Sequence, residues 1–346
     1  MPDAASERLA DHTTLRLGGP ARSWVRATTE ADLVEAVRRA DEDGEPVLLL
    51  AGGSNLVVAD AGFPGTVVEV ATSGMRPDHE GDDATCGGVV VTVAAGESWD
   101  AFVAAAVDRG WVGVEALSGI PGTVGATPIQ NVGAYGQEVS QVIASVRVWD
   151  RRLRGFRTFA AADCGFGYRT SRFKADPSRH VVLEVTFQLR QGTLGAPVTY
   201  AELAAVLGIE PGERAPLTDV RRAVLGLRTG KGMVLDPLDR DTWSAGSFFT
   251  NPVLPPERLP EGAPAWPQPG GSVKTSAAWL IENAGFAKGY GDGPARLSTK
   301  HTLALTNRGD ATTADLLALA REIRGGVEAR FGIRLVNEPV LVSCEL

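Results

Sequence analysis

At 346 residues, with 44% hydrophobic and 22% charged residues, the chain has the composition of a globular protein large enough for two or three buried cores. No apolar run approaches the roughly 20 residues that cross a bilayer. The start, Met1-Pro2-Asp3-Ala4-Ala5-Ser6-Glu7, has neither the basic region nor the apolar core of a signal peptide. A net charge of -8 argues against a nucleic-acid partner.

In chain order, Leu15-Arg16-Leu17-Gly18-Gly19-Pro20 makes an early turn before a strand at Trp24-Val25-Arg26-Ala27. Thr29 is expected to cap a helix with Leu33, Ala36, Val37 and Ala40 on one face and Gly44 as its stop. Strands at 47–50 and 66–70 close a β-α-β unit. The polar stretch 73–87 is expected to cross the surface before a strand at 89–93. Ser98 caps the next helix, which has Trp99, Phe102, Val103, Ala106 and Val107 as its apolar stripe and stops at Gly110. Alternation places Val142, Ala144, Val146 and Val148 on one strand face. It does the same for Val181, Leu183, Val185, Phe187 and Leu189 on another strand. Between those strands, the basic run Arg151-Arg152-Leu153-Arg154 reads as a solvated hairpin tip.

Thr218 is expected to cap a helix with Val220, Ala223, Val224 and Leu227 inward, ending at Gly230. Beyond a linker at 233–240 come a strand and turn at 246–252 and a proline-laden loop at 252–269. A helix through Ala277, Leu280, Ile281 and Ala284 precedes a strand at 301–306. The last helix starts near Thr313, is expected to be weakened by Gly325-Gly326, and leads to an extended tail at 334–342. The class is α+β. The regions read as residues 1–72, 73–232 and 233–331, with 332–346 packing near the first.

Cys86, Cys164 and Cys344 are widely spaced, odd in number and without a C-x-x-C pair. They read as reduced thiols of a cytoplasmic protein. His12, His79, His180 and His301 lack metal-ligand spacing, so no metal site is expected.

Glycine is densest at 118–136, where Gly119, Gly122, Gly125, Gly133 and Gly136 punctuate the polar Thr123, Thr127, Gln130 and Asn131. That recurrence would be costly inside a helix or strand. A second glycine turn, Ala51-Gly52-Gly53-Ser54-Asn55, directly follows the apolar run Val47-Leu48-Leu49-Leu50. A strand, a glycine turn and exposed amides make a nest suited to a pyrophosphate. Neither loop reads G-x-G-x-x-G, so the pair points to a large phosphate-bearing cofactor held without a Rossmann fingerprint.

Residues 52–55 and 120–136 resemble the two flavin-cradling segments of the UDP-N-acetylenolpyruvoylglucosamine reductase family. Gly167-Tyr168-Arg169-Thr170-Ser171-Arg172-Phe173-Lys174, the 246–252 motif and Asn337-Glu338-Pro339 resemble its other motifs, in family order from about Thr13 to Val342. The resemblance implies a two-subdomain FAD-binding fold of the vanillyl-alcohol oxidase and p-cresol methylhydroxylase type, followed by a C-terminal α+β substrate domain. It also implies non-covalent FAD, NADPH as hydride donor, and cytoplasmic reduction of UDP-N-acetylglucosamine enolpyruvate to UDP-N-acetylmuramate for peptidoglycan synthesis. From the first nest the implied flavin contacts are Gly52, Gly53, Ser54 and Asn55. From the second they are Ile120, Pro121, Gly122, Thr123, Gly125 and Ala126, then Gln130, Asn131, Gly133 and Ala134.

Reducing an enolpyruvyl ether adds hydride to the terminal vinyl carbon and leaves negative charge on the adjacent carbon and its carboxylate. Such chemistry needs a cationic clamp and a proton donor. The family pattern places Arg169 and Glu338 at the charge and Ser247 as the donor. Glu338 either orients Arg169 or, if protonated, donates a hydrogen bond to the carboxylate. Arg228, Lys231, Asn251 and Lys274 match family positions near the substrate. Tyr200 either belongs to the segment that closes over the diphosphate in the family's long form or is a core aromatic opening a helix at 202–207. Thr250 departs from the family, whose other members carry lysine there, leaving phosphate affinity to Lys274 or Lys231.

Two rival classes remain at this level. One is a superfamily oxidase, often carrying flavin linked through a histidine that neither nest contains. The other is a nucleotide-sugar binding module, which would purify colourless.

Overall fold

The computed structural model describes residues 7–78 and 88–346, so His79 and Cys86 lie outside the described residues. The chain divides into two compact units, each assembled from separate stretches of sequence. One comprises Met1–Arg22, Gly53–Pro64 and Gly230–Leu346, and the other Ser23–Gly52 and Gly65–Thr229.

In the second unit, the helix Glu30–Glu42 begins where the Thr29 side chain accepts from the Asp32 N–H, and it buries Leu33, Val37 and Ala40. Leu33 and Val37 pack with Ala27 and Val68 of a three-stranded sheet. Its strands run in the order Ala21–Ala27, Phe63–Val70, Val47–Leu50, the last two parallel. A larger, mainly antiparallel sheet orders Gly155–Ala160, Ile143–Asp150, His180–Gln191, Val89–Ala94 and Met75–Pro77, and Trp111–Val112 also pairs with His180–Gln191. The stretch after Ser73 thus supplies an edge strand, because Met75 packs on the sheet's core.

Val142, Val146 and Val148, expected on one face of the first long strand, do pack on one core, but the single face expected of the second does not hold. Val185, Phe187 and Leu189 join one core with Val182, whereas Val181 and Leu183 join the core under Glu30–Glu42. The reason is a register shift at Arg147/Val148, where Arg147 pairs with Glu184 and Val148 with Val182, leaving Leu183 over. An extra residue in one strand reverses which side its neighbours face. A second shift between Ile143 and Ser145 does the same at Ala144.

The helix Trp99–Asp108 is capped by Ser98 and sets Phe102 against Phe187 in a stack with centroids 4.8 Å apart. The helix Leu217–Gly230 is not capped by Thr218, which lies inside it. Pro216 O accepts from the N–H groups of both Asp219 and Val220 instead. Arg151-Arg152-Leu153-Arg154 does form the tip of a hairpin, yet Arg151 is only 18% exposed and pairs with Asp41.

The first unit is built around Phe248, Phe249, Leu280, Ile281, Leu316 and Ile323. A three-stranded antiparallel sheet orders Val253–Leu254, Val273–Thr275 and Ala265–Pro267, and Ala295–Leu297 pairs with Leu305–Asn307. The strand expected at 301–306 therefore begins only at Leu305. Val340–Val342 runs parallel to Leu56–Val58. The segment 246–252 is not a strand, since its one ladder contact is an isolated bridge between Phe249 and Asn337.

The helix Thr313–Phe331 opens with a Thr312/Asp315 capping box and runs unbroken through Gly325-Gly326. Gly326 is there for clearance: a Cβ on it would lie 2.5 Å from Phe286 ring atoms.

Candidate active site

The glycine loops meet within the second unit. An ideal Cβ on Gly52 would stand 2.7 Å from Gly122 Cα, so the two backbones approach as only glycine permits. The flanking residues are tied to the scaffold. Trp99 N–H donates to Gly122 O at 3.1 Å, and Asp100 Oδ1 accepts from Gly119 N–H at 2.6 Å.

Not every amide of the expected nest is open. Those of Val124, Gly125, Ala126 and Thr127 donate to the carbonyls of Glu97, Ala95, Thr123 and Val124. Gly125 is glycine because Ala95 Cβ would lie 2.5 Å from any Cβ, and Gly53 because His12 O would lie 1.9 Å away, inside the first unit. Packing within the protein thus fixes both positions as glycine. Ser54 and Asn55 belong to the first unit with Gly53, and Asn55 O accepts from Val340 N–H at 2.9 Å. Ile120, Pro121 and Gln130 line the second loop, half-buried.

Thr123 fits a bound polar group. Its Oγ1 is buried and has no hydrogen-bond partner among the described residues. A buried hydroxyl left so would cost free energy unless a ligand oxygen meets it. With the Gly52–Gly122 approach beside it in sequence, the loop suits a phosphate-bearing cofactor.

Farther along, Gly133 and Ala134 form a short ladder with Glu138 and Gln137. Asn131 is buried with φ +47°, and its amide nitrogen donates to Glu138 Oε2 at 2.7 Å and Gly167 O at 3.1 Å. That side chain is engaged inside the protein. Arg169, in the turn closed by Gly167 and Thr170, has φ +53°, a conformation that a non-glycine residue holds only at some cost. Its guanidinium donates to Gly133 O at 2.8 Å and Asn131 O at 3.4 Å. Ser171 Oγ donates to Ile129 O at 2.5 Å, and Lys174 Nζ to Arg169 O at 3.0 Å.

Arg228 is 8% exposed on the helix Leu217–Gly230. Burial pushes its pKa down, with Tyr135 and the Asp100 carboxylate opposing. Asp100 also takes two hydrogen bonds from Arg221, at 2.7 and 2.9 Å. Burial acts to raise the Asp100 pKa, but the Arg221 bonds and the Gly119 N–H outweigh it and hold the carboxyl low. Sequence reasoning passed over Asp100, which looks like an ordinary first-turn helix acid. Tyr200 is 44% exposed, with its ring edge-on to Tyr135 at 5.4 Å, so it is not a core aromatic.

In the first unit, Glu338 N–H donates to Phe248 O at 2.8 Å, next to the Phe249–Asn337 bridge. Ser247 and Glu338 are thereby neighbours, both half-buried. Asn251 Oδ1 accepts the Ala277 N–H at 2.9 Å at the start of the helix Ala277–Asn283, which uses part of this expected substrate contact for structure. Lys274 pairs across the sheet with Val253 and Trp266, and Lys231 follows the helix end at Gly230. Thr250 pins the tail, its N–H and Oγ1 both donating to Val336 O. Among the described residues no His, Cys, Asp and Glu cluster could hold a metal ion, and no helix is long and apolar enough to cross a membrane.

Residues 21–152 match a family model described as "FAD binding domain", and 236–342 one described as "UDP-N-acetylenolpyruvoylglucosamine reductase, C-terminal domain". The chain is 58% identical over 341 residues to the Cutibacterium acnes UDP-N-acetylenolpyruvoylglucosamine reductase, covering 98% of this chain and 90% of that protein. It belongs to the UDP-N-acetylenolpyruvoylglucosamine reductase family.

The Streptomyces avermitilis reductase is also 58% identical, covering 98% of this chain and 94% of its own. The crystal structure of the Thermus caldophilus reductase superposes with a TM-score of 0.65 at 28% identity, covering 97% of this chain and 98% of that one. The reductase is thus an α+β flavoprotein with an FAD-binding fold followed by the family's C-terminal domain. With NADPH as hydride donor, the reductase converts UDP-N-acetylglucosamine enolpyruvate to UDP-N-acetylmuramate, a step of peptidoglycan precursor synthesis.

Proposed function

We propose that Ser247 is the proton donor of this reduction and that Arg169 and Glu338 manage the charge it creates. The observation that supports this reading is the Glu338 N–H to Phe248 O bond, which brings the backbone at Glu338 next to the residue that follows Ser247. Bound FAD would supply the hydride-transfer chemistry that links NADPH to the enolpyruvyl double bond. The Arg169 guanidinium holds the substrate carboxylate while charge collects on the adjacent carbon. Ser247 Oγ gives its proton to that carbon, completing the lactyl ether, and regains one from water. Serine is a weak acid, so the transfer needs a strongly basic carbon in a site closed to solvent.

Arg228, Lys231, Asn251 and Lys274 hold the UDP part, and Tyr200 covers the diphosphate from its exposed position. Residues 1–72 and 73–232 carry a non-covalently held FAD, through Gly52 to Asn55, Ile120 to Ala126 and Gln130 to Ala134. Residues 233–331 form the substrate domain. The enzyme works in the cytoplasm, where NADPH and nucleotide sugars are found together.

The test is a pair of anaerobic half-reactions. NADPH alone should bleach the yellow protein, and UDP-N-acetylglucosamine enolpyruvate alone should restore the colour with one equivalent of UDP-N-acetylmuramate. Failure of the second step in protein that bleaches would sink the reading.

A further inference from the structure

Arg169 is held by carbonyls that are themselves held. Its Nη1 and Nη2 donate to Asn131 O and Gly133 O, respectively. Asn131, in turn, reaches back with its amide nitrogen to Gly167 O, at the mouth of the turn that presents Arg169. Each segment fixes the other. What fixes Asn131 is Glu138, whose Oε2 accepts from the same amide nitrogen at 2.7 Å. Asn131 sits at φ +47°, so its conformation depends on these side-chain bonds, the third being Ser140 N–H to Oδ1 at 3.2 Å.

Glu138 is itself immobilised. It caps the turn Val139–Gln141 through a reciprocal capping box and lies opposite Gly133 in the short ladder. Gly133 shows how tightly the parts fit. A Cβ there would lie 2.8 Å from Glu138 Cγ and 3.3 Å from Arg169 Nη1. The glycine therefore makes room for the carboxylate's stem on one side and the guanidinium on the other.

We propose that Glu138 is a positioning residue for Arg169, acting through Asn131 and without touching the substrate. This rests on the reading of Arg169 as the substrate-carboxylate clamp. A carboxylate at this place does two things. It accepts the Asn131 amide with the strength of a charged acceptor, and it orients that amide so that its oxygen faces Ser140 and its nitrogen faces Gly167. Without it the Asn131 amide keeps only the longer bonds to Gly167 O and from Ser140 N–H, and the carbonyls of residues 131 and 133 are held less firmly against the guanidinium. Misplacing a reacting group by about 1 Å can cost on the order of 100-fold in rate.

The experiment is a double-mutant cycle on the holoenzyme, with Glu138→Ala, Arg169→Ala and the double variant. Flavin content and flavin bleaching by NADPH are read beside the rate at which enolpyruvyl substrate reoxidises the flavin. Glu138→Ala should bleach as the parent does but reoxidise about 10- to 100-fold more slowly. In the Arg169→Ala background it should cost less than about 3-fold more, because the group it positions is gone.

Glu138→Gln keeps an acceptor on the same stem and should recover to within a few-fold of the parent. Equal slowing by Glu138→Ala in both backgrounds, or no slowing at all, overturns the proposal. An Arg169→Ala variant that reoxidises normally would instead overturn the reading of Arg169. Should Glu138→Ala lose its flavin, Glu138→Asp takes its place in the cycle with the same criteria, since its shorter stem withdraws the acceptor while keeping the charge.

Discussion

The backbone N–H of Glu338 donates to the carbonyl of Phe248 at 2.8 Å, which puts Glu338 beside Ser247 although most of the C-terminal third of the chain lies between them. The two residues we propose for proton transfer and charge are thus brought together by this backbone contact, which adjoins the Phe249–Asn337 bridge.

Ser247→Ala should retain FAD and bleach normally with NADPH. Its reoxidation by enolpyruvyl substrate should slow by roughly two to four orders of magnitude, the usual worth of a positioned general acid. Ser247→Cys should recover part of that loss, since a thiol also donates. Rapid-mixing absorbance of the two half-reactions checks this, and equal slowing of both would assign Ser247 to shaping the site.

Arg169→Lys keeps the charge but cannot reproduce the two bonds to Gly133 O and Asn131 O from one planar fork. We expect a raised KM for the enolpyruvyl substrate together with a kcat at least about 10-fold lower, and an unchanged rate of bleaching. A variant with altered KM alone would place Arg169 in binding only.

Thr123→Val separates ligand contact from packing. The Oγ1 has no partner among the described residues, so the apoprotein should keep or slightly raise its Tm when the hydroxyl is removed. FAD binding should weaken by about 10-fold or more if a phosphate oxygen is the missing partner. Fluorescence titration of apoprotein with FAD measures it, and unchanged affinity would move the contact elsewhere.

Stability on the acid side should report two groups on the large sheet. Burial acts to raise the Asp150 pKa, but the Arg179 bonds at 2.9 to 3.2 Å and the Leu153 N–H outweigh it and hold it at about 2. A carboxyl depressed in the fold contributes stability above its unfolded pKa of about 3.9. That contribution should vanish between about pH 4 and pH 2, and Asp150→Asn should flatten the slope there. His180 is lowered by burial, only partly opposed by Asp150 3.7 Å from its Nε2, and among the described residues neither ring nitrogen has a hydrogen-bond partner between Phe159 and Phe173. Its unfolded form takes a proton below about pH 6.5. Stability therefore falls with pH below that point, and His180→Phe should raise the Tm most at pH 5 to 6. A lower Tm for that variant at pH 5 would show that the imidazole is charged in the fold.

The paired glycines of the last helix should answer oppositely to alanine. At Gly325 nothing among the described residues lies within 4 Å of a new Cβ, so Gly325→Ala should stabilise by about 0.5–1 kcal/mol through helix propensity. Gly326→Ala drives a methyl into the Phe286 ring and should destabilise by about 1–3 kcal/mol, the usual cost of overpacking. Urea denaturation of the two variants decides.

Much of this was legible in the sequence because it is local. Thr29 and Ser98 cap the helices their spacing announces, since a cap depends on only three or four consecutive residues. The strand-then-glycine order of Leu50 to Asn55 likewise marks where a strand ends without reference to the rest of the chain. What the sequence could not reveal depends on partners far along it. The bulge at Leu183 arises from pairing with Ile143–Asp150, and it divides a face that alternation alone makes continuous. Gly326 looks like a helix breaker until Phe286 is found against it. The packing reason for glycine at 125 and 53 appears only once Ala95 and His12 are found in the space a side chain would take. Residue type and spacing determined which groups are available for the chemistry. Which of them are already taken by the protein's own carbonyls, rings and carboxylates was decided by tertiary packing, because hydrogen bonds and steric exclusion act over a few ångströms of space and not along the chain.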